Sequence, residues 1–585
     1  MDTIKQSLKD VLRHINTGNV VRDGGDGDTF QPAPSESAAG LPGNDVQIWE
    51  PAQQIPAMDS FETCPPLMPL DQFQASATVS SHPSSSLGAT MQSHGSRSLP
   101  PDGILTELSE LFFEFIYPWA PIFFRPTFSA NLFAPGRRLL LHGLVVACFR
   151  FWKKSEPSTK VREAYVSNSR EQILLKAINA HSLVSAQALT LLAIDAVGQG
   201  PCPRTCNIMA MLLSTTQQLR LAKRSLPASG GSNTALVRNE DSDDDLCSSS
   251  IEEEEKCRLF WTIYSLDRFS SMLHGQSGGL DTKSIRLPYP VGDEEWGQVI
   301  APEWFVTGSK PTHRDCTARL RHHQIDLLAL LDRSNRLLTH PVNLGLPAPC
   351  QEWQSNFRCL DITLSTWFEK LPQNVRELPD RFDWSWIMLH ATFHLINIRM
   401  YTVAAFPSTT SPYLRPSSVA RSRCRQAIRS VTCLTSSLQP HELEKLGPVF
   451  AFVVWVAART LVILWTTGYE NANGTTPDDL EPLLGILRHQ ALIWPCAQRH
   501  AEIIQLIVDT RDNPGGPTGI DIFNDTRRTS YGLQKHLGTL AGHPIAVEAF
   551  SNSFDFLDIP MLDEGELAFN RIETFGSETD GEWLY

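Results

Sequence analysis

One short motif in the chain has the spacing of a catalytic nucleophile. Gly275-Gln276-Ser277-Gly278-Gly279 matches the glycine–x–serine–x–glycine pattern of a nucleophile elbow. That chemistry needs a strand, a sharp turn and a helix, which together raise the serine above an oxyanion hole. A predicted helix precedes the motif here and no strand pattern is visible, so a flexible glycine-rich loop is favoured. We predict no catalytic residues, and a helical serine hydrolase using Ser277 is the alternative.

Two other residue pairs have spacings that are compatible with metal binding. His390 and His394 are separated by one helical turn, but no third ligand is evident. Cys202 and Cys206 flank a proline-containing turn, and they lack two further ligands at suitable spacing. We therefore expect packed histidines, buried thiols, no metal site and no cofactor held by this chain.

The stretch from Ser250 to His274 has the pattern of an amphipathic helix. Ser250 and Glu253 fit a capping box, and Glu252 to Glu255 suit the positive end of the helix dipole. Gly275 is a natural end for the helix. The apolar residues recur at helical spacing and predict a broad buried stripe: Leu259, Phe260, Ile263, Leu266, Phe269, Met272 and Leu273.

Aromatic and charged residues lie beside that stripe. They are Trp261, Tyr264, Asp267 and Arg268. A buried aspartate or arginine must be paired, because an unpaired charge costs several kcal/mol, on the order of 3–5. Periodicity alone leaves an ion pair at the solvent edge as an equally good interpretation.

Eight residues resemble the signature of the fungal-specific transcription factor regulatory domain. They are Arg258, Trp261, Tyr264, Asp267, Arg268, Gly275, Leu287 and Pro288. This domain is the middle homology region of fungal zinc-cluster regulators. Where the family usually has glycine–arginine–proline, this chain has Gly275-Gln276-Ser277. Three earlier segments resemble landmarks of the same domain in the same order: the turn 121–128, the glutamine-containing helix 184–198 and the helix ending at 216–221.

The resemblance implies a large all-α regulatory domain in a nuclear transcription regulator. It further implies an activator of metabolic or biosynthetic genes that contacts coactivators, and it is compatible with a homodimer. The family's DNA-binding zinc cluster opens with C-x2-C pairs, and none occurs in this sequence. We therefore expect zinc and DNA contact only through a module missing from the sequence or through a partner protein. A transcriptional cofactor that does not bind DNA is the alternative.

Composition and local patterns divide the 585 residues into three parts. Residues 1–100 are rich in Ser, Pro, Gln and Gly and are predicted to be disordered. Residues 101–510 are predicted to form the helical domain, with an acidic insertion at 225–249. Residues 511–585 are predicted to form loops and an acidic–hydrophobic tail typical of activation segments. The net charge of −14 argues against broad electrostatic binding to nucleic acid.

Ten longer helices are expected within the helical domain, besides the signature helix. One of them contains the apolar run Pro448 to Trp465, which is long enough to be a membrane-span candidate. Arg459 lies inside that run, and a charge is costly in lipid, so a buried core helix without membrane contact is favoured. The predicted helices are Arg137–Trp152, Ser158–Asn179, Leu183–Val197, Pro203–Ala222, Thr317–Thr339, Cys350–Lys370, Trp384–Ala405, Ser417–Leu438, His441–Thr467 and Asp479–Val508.

Overall fold

Eighteen α-helices and no strand are found in the part of the chain that the computed structural model describes. That part comprises residues 99–179, 181–223, 242–293, 296, 316–340, 342–379, 382–407, 412–469, 475–512 and 519–537. The predicted all-α class is confirmed for these residues. The N-terminal region up to residue 98 and the tail from residue 538 lie outside them.

Among the described residues, seven helices lie between Asp102 and Leu273, where the signature helix ends, and eleven follow. The first set is α1 (Asp102–Leu111), α2 (Arg125–Ala130), α3 (Arg138–Cys148), α4 (Thr159–Asn179), α5 (Leu183–Gln199), α6 (Pro203–Gln218) and α7 (Ser242–Leu273). The second set is α8 (Cys316–Thr339), α9 (Pro347–Glu369), α10 (Gln373–Arg376), α11 (Trp384–Ala405), α12 (Ser418–Ser436), α13 (Pro440–Leu443), α14 (Pro448–Thr466), α15 (Leu480–Gln490), α16 (Pro495–Asp512), α17 (Ile520–Asn524) and α18 (Ser530–Leu537).

Two predicted helices are each divided in the structure. The predicted helix from His441 to Thr467 is α13 and α14, and the one from Asp479 to Val508 is α15 and α16. In both cases a proline, Pro448 or Pro495, is the first residue of the second helix. Proline lacks the amide donor and its ring clashes with the preceding turn, so it begins a helix and interrupts one that precedes it.

The signature helix α7 begins earlier than predicted. It starts at Ser242, so the acidic run placed in the insertion 225–249 is partly helical, and Ser250 lies inside the helix and does not cap it. Two i,i+4 ion pairs form along this helix, at 2.8 Å for Glu254–Arg258 and 3.1 Å for Glu252–Lys256. The glutamates therefore serve side-chain contacts rather than the helix dipole.

The helices form a closed circuit of contacts around a shared apolar core. Helix α5 packs on α7, α7 on α8, α8 on α11, α11 on α14 and α14 on α16, and α16 returns to α5. The circuit closes where Trp494 packs against Gly198 at the end of α5. Early and late segments of the chain are thus joined in one core, which depends on contacts between residues far apart in sequence.

Helix α14 lies within this core. It is the one helix of the described residues that is long and apolar enough to cross a membrane, with a mean hydropathy of 2.0 in its apolar window. However, 78% of that window is buried against the rest of the fold. Its neighbours are α11, α12, α15 and α16, as expected for a core helix.

The helical body continues past residue 510. Helix α17 packs against α14 and α16, helix α18 packs against α16 and α17, and Phe523, Leu533 and Leu537 are fully buried. The Arg459 guanidinium in α14 donates to the carbonyls of Phe523 at 3.1 Å and Asp525 at 2.7 Å. The packed helical core therefore extends beyond residue 510, where the sequence places the end of the domain.

Replacing Gly198 by alanine should open the helix circuit. A Cβ at this position would lie 2.5 Å from Cζ3 of Trp494 and 2.8 Å from Nη1 of Arg150, inside contact distance of a rigid buried ring. We expect Gly198→Ala to lower the free energy of unfolding by about 1–3 kcal/mol in denaturant titrations.

Gly485→Ala is the matched control, because Gly485 also lies in a helix but a Cβ there would meet nothing within 4 Å. This control should be neutral or stabilising by up to about 1 kcal/mol, through helix propensity. Equal effects of the two substitutions would contradict the tight closure between α5 and the start of α16.

Candidate regulatory site around the signature helix

The signature helix α7 ends in a Schellman motif. Gly275 has a φ of +67°, a conformation that glycine adopts without steric penalty. The Gly275 amide donates to the Met272 carbonyl at 3.3 Å, and the Gln276 amide donates to the Ser271 carbonyl at 2.8 Å. The chain therefore turns back sharply, and the glycine-rich loop returns along the last turns of the helix.

The Asp267 carboxylate holds this returning loop. It accepts the backbone amides of Gly279 at 3.0 Å and Leu280 at 3.1 Å, and the residue is 2% exposed. Burial raises the pKa of Asp267, while the two amides and the Arg268 charge act in the opposite direction. The carboxylate thus replaces its lost hydration with loop hydrogen bonds.

Arg268 completes the arrangement from the same helix. Its guanidinium donates to Asp267 at 3.1 Å, to the Thr282 hydroxyl at 3.2 Å and to the Leu280 carbonyl. It also pairs with Asp332 of α8 at 3.2 Å. We call Asp267, Arg268, Asp332 and the loop 278–282 the loop clamp.

Packing around the Arg268 guanidinium explains two further sequence features of the clamp. Tyr264 presents its ring to the guanidinium, with 4.4 Å between Cζ and the ring centroid. A Cβ at position 278 would overlap Nη1 of Arg268, so the close approach of this loop requires glycine. The glycine-rich motif is therefore explained by the bulk of the arginine beneath it.

A polar contact extends from the loop to α11. Asn335 of α8 donates its side-chain amide to the Gln276 carbonyl. The Asn335 side-chain oxygen accepts hydrogen bonds from both terminal nitrogens of Arg399, at 3.2 and 3.3 Å. The loop after the signature helix is thus connected through α8 to the centre of α11.

A second charged cluster lies near the start of the apolar stripe of α7. Arg258 donates to Glu254 at 2.8 Å, to Asp293 at 2.6 Å and to the Val291 carbonyl at 2.6 Å. Arg321 of α8 also binds Asp293, at 2.8 and 3.0 Å. Although burial opposes it, Arg321 and Arg258 lower the pKa of Asp293. This cluster anchors the segment after the loop onto α7 and α8.

Trp261 fixes the last two signature residues. Its indole nitrogen donates to the Pro288 carbonyl at 2.8 Å, and the Cys257 thiol reaches the same carbonyl at 3.4 Å. Leu287 is half-buried and packs against the core, whereas Pro288 is exposed. Pro288 therefore contacts the signature helix through its backbone carbonyl and not through its side chain.

The structure brings all eight predicted signature residues together along α7 and the segment that returns past it. Six of them belong to α7 or its terminus, namely Arg258, Trp261, Tyr264, Asp267, Arg268 and Gly275, and two belong to the returning segment, Leu287 and Pro288. Sequence reasoning did not identify Asp332, Asn335, Asp293 and Arg321, which complete both clusters. These residues come from other elements, and their partners are not visible from local spacing.

An earlier landmark also reaches α7. In the turn 121–128, the Phe124 amide donates to the Glu255 carboxylate at 2.8 Å, and the Phe124 ring packs 4.9 Å from that of Trp296. Burial raises the pKa of Glu255, and the Phe124 amide opposes that shift. The turn therefore uses the backbone of residue 124 to contact the signature helix.

Ser277 does not have the geometry of a nucleophile elbow. It is exposed, it follows a helix that ends at Leu273, and it lies in the loop that the clamp holds. The oxyanion hole of such an elbow depends on a strand–turn–helix arrangement. The described surroundings of Ser277 instead match the glycine-rich loop expected from the sequence.

The candidate metal residues are packed in ordinary surroundings. His390 lies 3.0 Å from the Val375 carbonyl and packs against Trp386, with 4.1 Å between ring centroids. Burial lowers the pKa of His390 to about 4 and that of His394 to about 3. Cys202 and Cys206 are unbridged. Within the described ranges, no group of three or more His, Cys, Asp or Glu residues could hold a metal ion.

Removing the Arg268 charge should destabilise the domain strongly. Arg268→Met keeps much of the side-chain bulk but leaves the Asp267 and Asp332 carboxylates buried without their shared cation. We expect a loss of about 3–5 kcal/mol in the free energy of unfolding, measured by urea titration.

Arg125→Met is the matched control, because Arg125 pairs with Glu110 at the surface, where their side chains are 60% and 55% exposed. An exposed pair contributes only about 0–1 kcal/mol. A loss for Arg268→Met as small as that of the control would show that the clamp does not support the fold.

Comparison with known proteins finds one family model and one relative that are similar to parts of this chain. Residues 110–384 match the model of the fungal specific transcription factor domain. Over 341 residues the chain is 23% identical to the notoamide biosynthesis cluster transcriptional coactivator notQ' of Aspergillus versicolor. That match covers 56% of this chain and 63% of the relative, and no solved structure matches the chain. The signature helix and its clamp lie within residues 110–384, the part of the chain that matches the model of the fungal specific transcription factor domain.

Proposed function

We propose that the chain is a fungal transcription regulator that acts in the nucleus. The observation that carries this proposal is the fungal specific transcription factor domain at residues 110–384. The similar protein from Aspergillus versicolor, named a transcriptional coactivator, supports the same class of function.

The finer proposal is an activating role on a biosynthetic gene set, exerted together with a DNA-binding partner. The relative's name connects it to a biosynthesis cluster and to coactivation, which favours a cofactor role over direct DNA reading. The net charge of −14 also favours contact with proteins over broad contact with DNA. A second copy of the chain is one further partner that this proposal includes.

In this proposal the helical body supports the acidic tail. Leu537 at the end of α18 is fully buried, so the described fold holds the chain immediately before the tail begins. Between Phe550 and Phe569 the sequence alternates acidic and apolar residues. The apolar side chains would enter a groove of a coactivator, while the acids maintain solubility.

Removing the gene and removing the tail should have separable effects in the source fungus. Loss of the whole chain should lower the transcripts of a defined gene set, measured by RNA sequencing. Loss of residues 545–585 alone should lower the same transcripts while chromatin immunoprecipitation still detects the chain at their promoters, because the body that binds the partner is intact. As a control, immunoblotting must show that the tail-deleted protein accumulates to the wild-type level.

An unchanged transcriptome after loss of the whole chain would overturn the regulatory function. Unchanged transcripts after loss of residues 545–585 would remove the activating role of the tail and leave the regulator intact. Sequence-specific DNA binding by the purified chain alone, in a gel-shift assay, would exclude the proposed dependence on a partner.

A further inference from the structure

A cavity of about 70 Å³ lies between α11, α14 and the segment 526–530. Its apolar lining includes Phe452 and Trp455. Its polar lining consists of three arginines and five residues with hydroxyl groups, namely Arg399, Arg459, Arg528, Thr402, Thr460, Thr526, Thr529 and Ser530. We call it the arginine cavity, and it is separate from the loop clamp.

Two of these cations lack a carboxylate partner. Arg459 donates to the carbonyls of Phe523, Asp525 and Arg528 at 2.7–3.1 Å, and Arg399 donates to the Asn335 side-chain oxygen. In the described parts of the chain, no carboxylate forms an ion pair with either of them. The nearby Asp525 carboxylate is bound by Arg527, with both hydrogen bonds at 3.0 Å. Asp525 also lies 3.9 Å from Arg528, and its charge acts on Arg459. Three arginines thus share this one nearby carboxylate, and positive charge is in excess at the cavity.

The buried guanidinium groups of Arg399 and Arg459 are energetically unfavourable without a counterion. Burial lowers the pKa of Arg399 and of Arg459 to about 10, and both remain cationic at neutral pH. The Nε atom of Arg459 is buried and has no hydrogen-bond partner among the described residues. A buried charge is normally paired or neutralised, so this geometry favours an anion from solution.

We propose that the arginine cavity binds a small oxyanion, namely a phosphate or carboxylate group. Guanidinium groups present planar pairs of N–H donors that match these oxyanions. The volume of about 70 Å³ is several times the roughly 10–15 Å³ that a cavity needs to hold one water molecule, which leaves room for a small anion such as inorganic phosphate or a short organic acid. The hydroxyls of Thr460 and Ser530 also line the cavity, where they contact Thr402 at 3.4 Å and His500 at 2.8 Å.

A bound oxyanion would join separate parts of the fold. Arg399 belongs to α11, Arg459 to α14, and Arg528 to the segment that leads into α18. The anion therefore stabilises the attachment of the C-terminal helices to the core. Through Asn335, Arg399 also contacts the loop that follows the signature helix. This ligand site goes beyond the proposed transcriptional role and does not depend on it.

Binding can be measured on the purified full-length chain by isothermal titration calorimetry and thermal unfolding. Inorganic phosphate, methyl phosphate and acetate form separate arms, with chloride at matched ionic strength as the control salt. We expect saturable binding and a raised Tm with phosphates, with acetate or with both, and neither effect with chloride. Binding in the phosphate arms alone assigns a phosphoryl group, and binding in the acetate arm alone assigns a carboxylate.

Arg399→Met should weaken this binding by about tenfold or more, because it removes one charged hydrogen-bond donor. Arg488→Met is the matched control, since Arg488 is half-exposed and pairs with Glu481 at the surface. The control should bind like the unsubstituted chain. Unchanged affinity in Arg399→Met, or no binding of any oxyanion to the unsubstituted chain, would overturn the proposal.

A second measurement covers the case in which Arg399→Met fails to fold. The unsubstituted chain is treated with phenylglyoxal, which modifies arginine, with and without the oxyanion that binds. Mass spectrometry should show that the oxyanion slows modification of Arg399, Arg459 and Arg528 but not of Arg488. Equal modification of all four residues with and without the oxyanion would overturn the proposal.

Discussion

The burial of the Asp267 carboxylate and the Arg268 guanidinium is the constraint on which the signature region depends. Neither charge can be left in the core without compensation, because desolvation of an isolated ion exceeds what packing returns. The chain meets this requirement by bringing the loop amides of Gly279 and Leu280 and the Asp332 carboxylate of α8 to the pair. The loop, α7 and α8 are therefore parts of one polar unit inside an apolar fold.

This requirement also explains why a motif with catalytic spacing is structural. The glycines of the loop allow the backbone to approach Arg268, and the serine between them remains at the surface. A nucleophile elbow would have to raise its serine from a strand. Similar residue types at similar spacing thus serve a different physical purpose, which the surrounding elements decide.

The sequence predicts local features of this fold well. Helix α11 has the predicted bounds Trp384–Ala405, and the stripe from Leu259 to Leu273 is buried. The sequence alone also predicts the eight signature residues, which the structure brings together along α7 and the segment 287–288. However, the predicted cap at Ser250 was wrong, because the acidic residues before it continue the helix back to Ser242. Local capping rules do not exclude helical structure on the other side of a suitable serine.

Features that depend on distant partners could not be predicted. Arg459 stood out as one charge in an apolar run, but its carbonyl acceptors lie at residues 523–528. Asn335 connects Gln276 with Arg399, and each of these contacts spans at least 59 residues. Periodicity describes one element at a time, so neither the loop clamp nor the arginine cavity is contained in it.

Amide hydrogen exchange of the full-length chain tests the central claim most directly, namely that a buried carboxylate holds the loop after the signature helix. The amides of Gly279 and Leu280 lie in a loop, yet both donate to Asp267. We predict that these two amides exchange as slowly as those of core helices, because they are released only when the domain opens. Exchange of both at the rate of an unprotected loop would contradict the clamp and the structural role assigned to the signature residues.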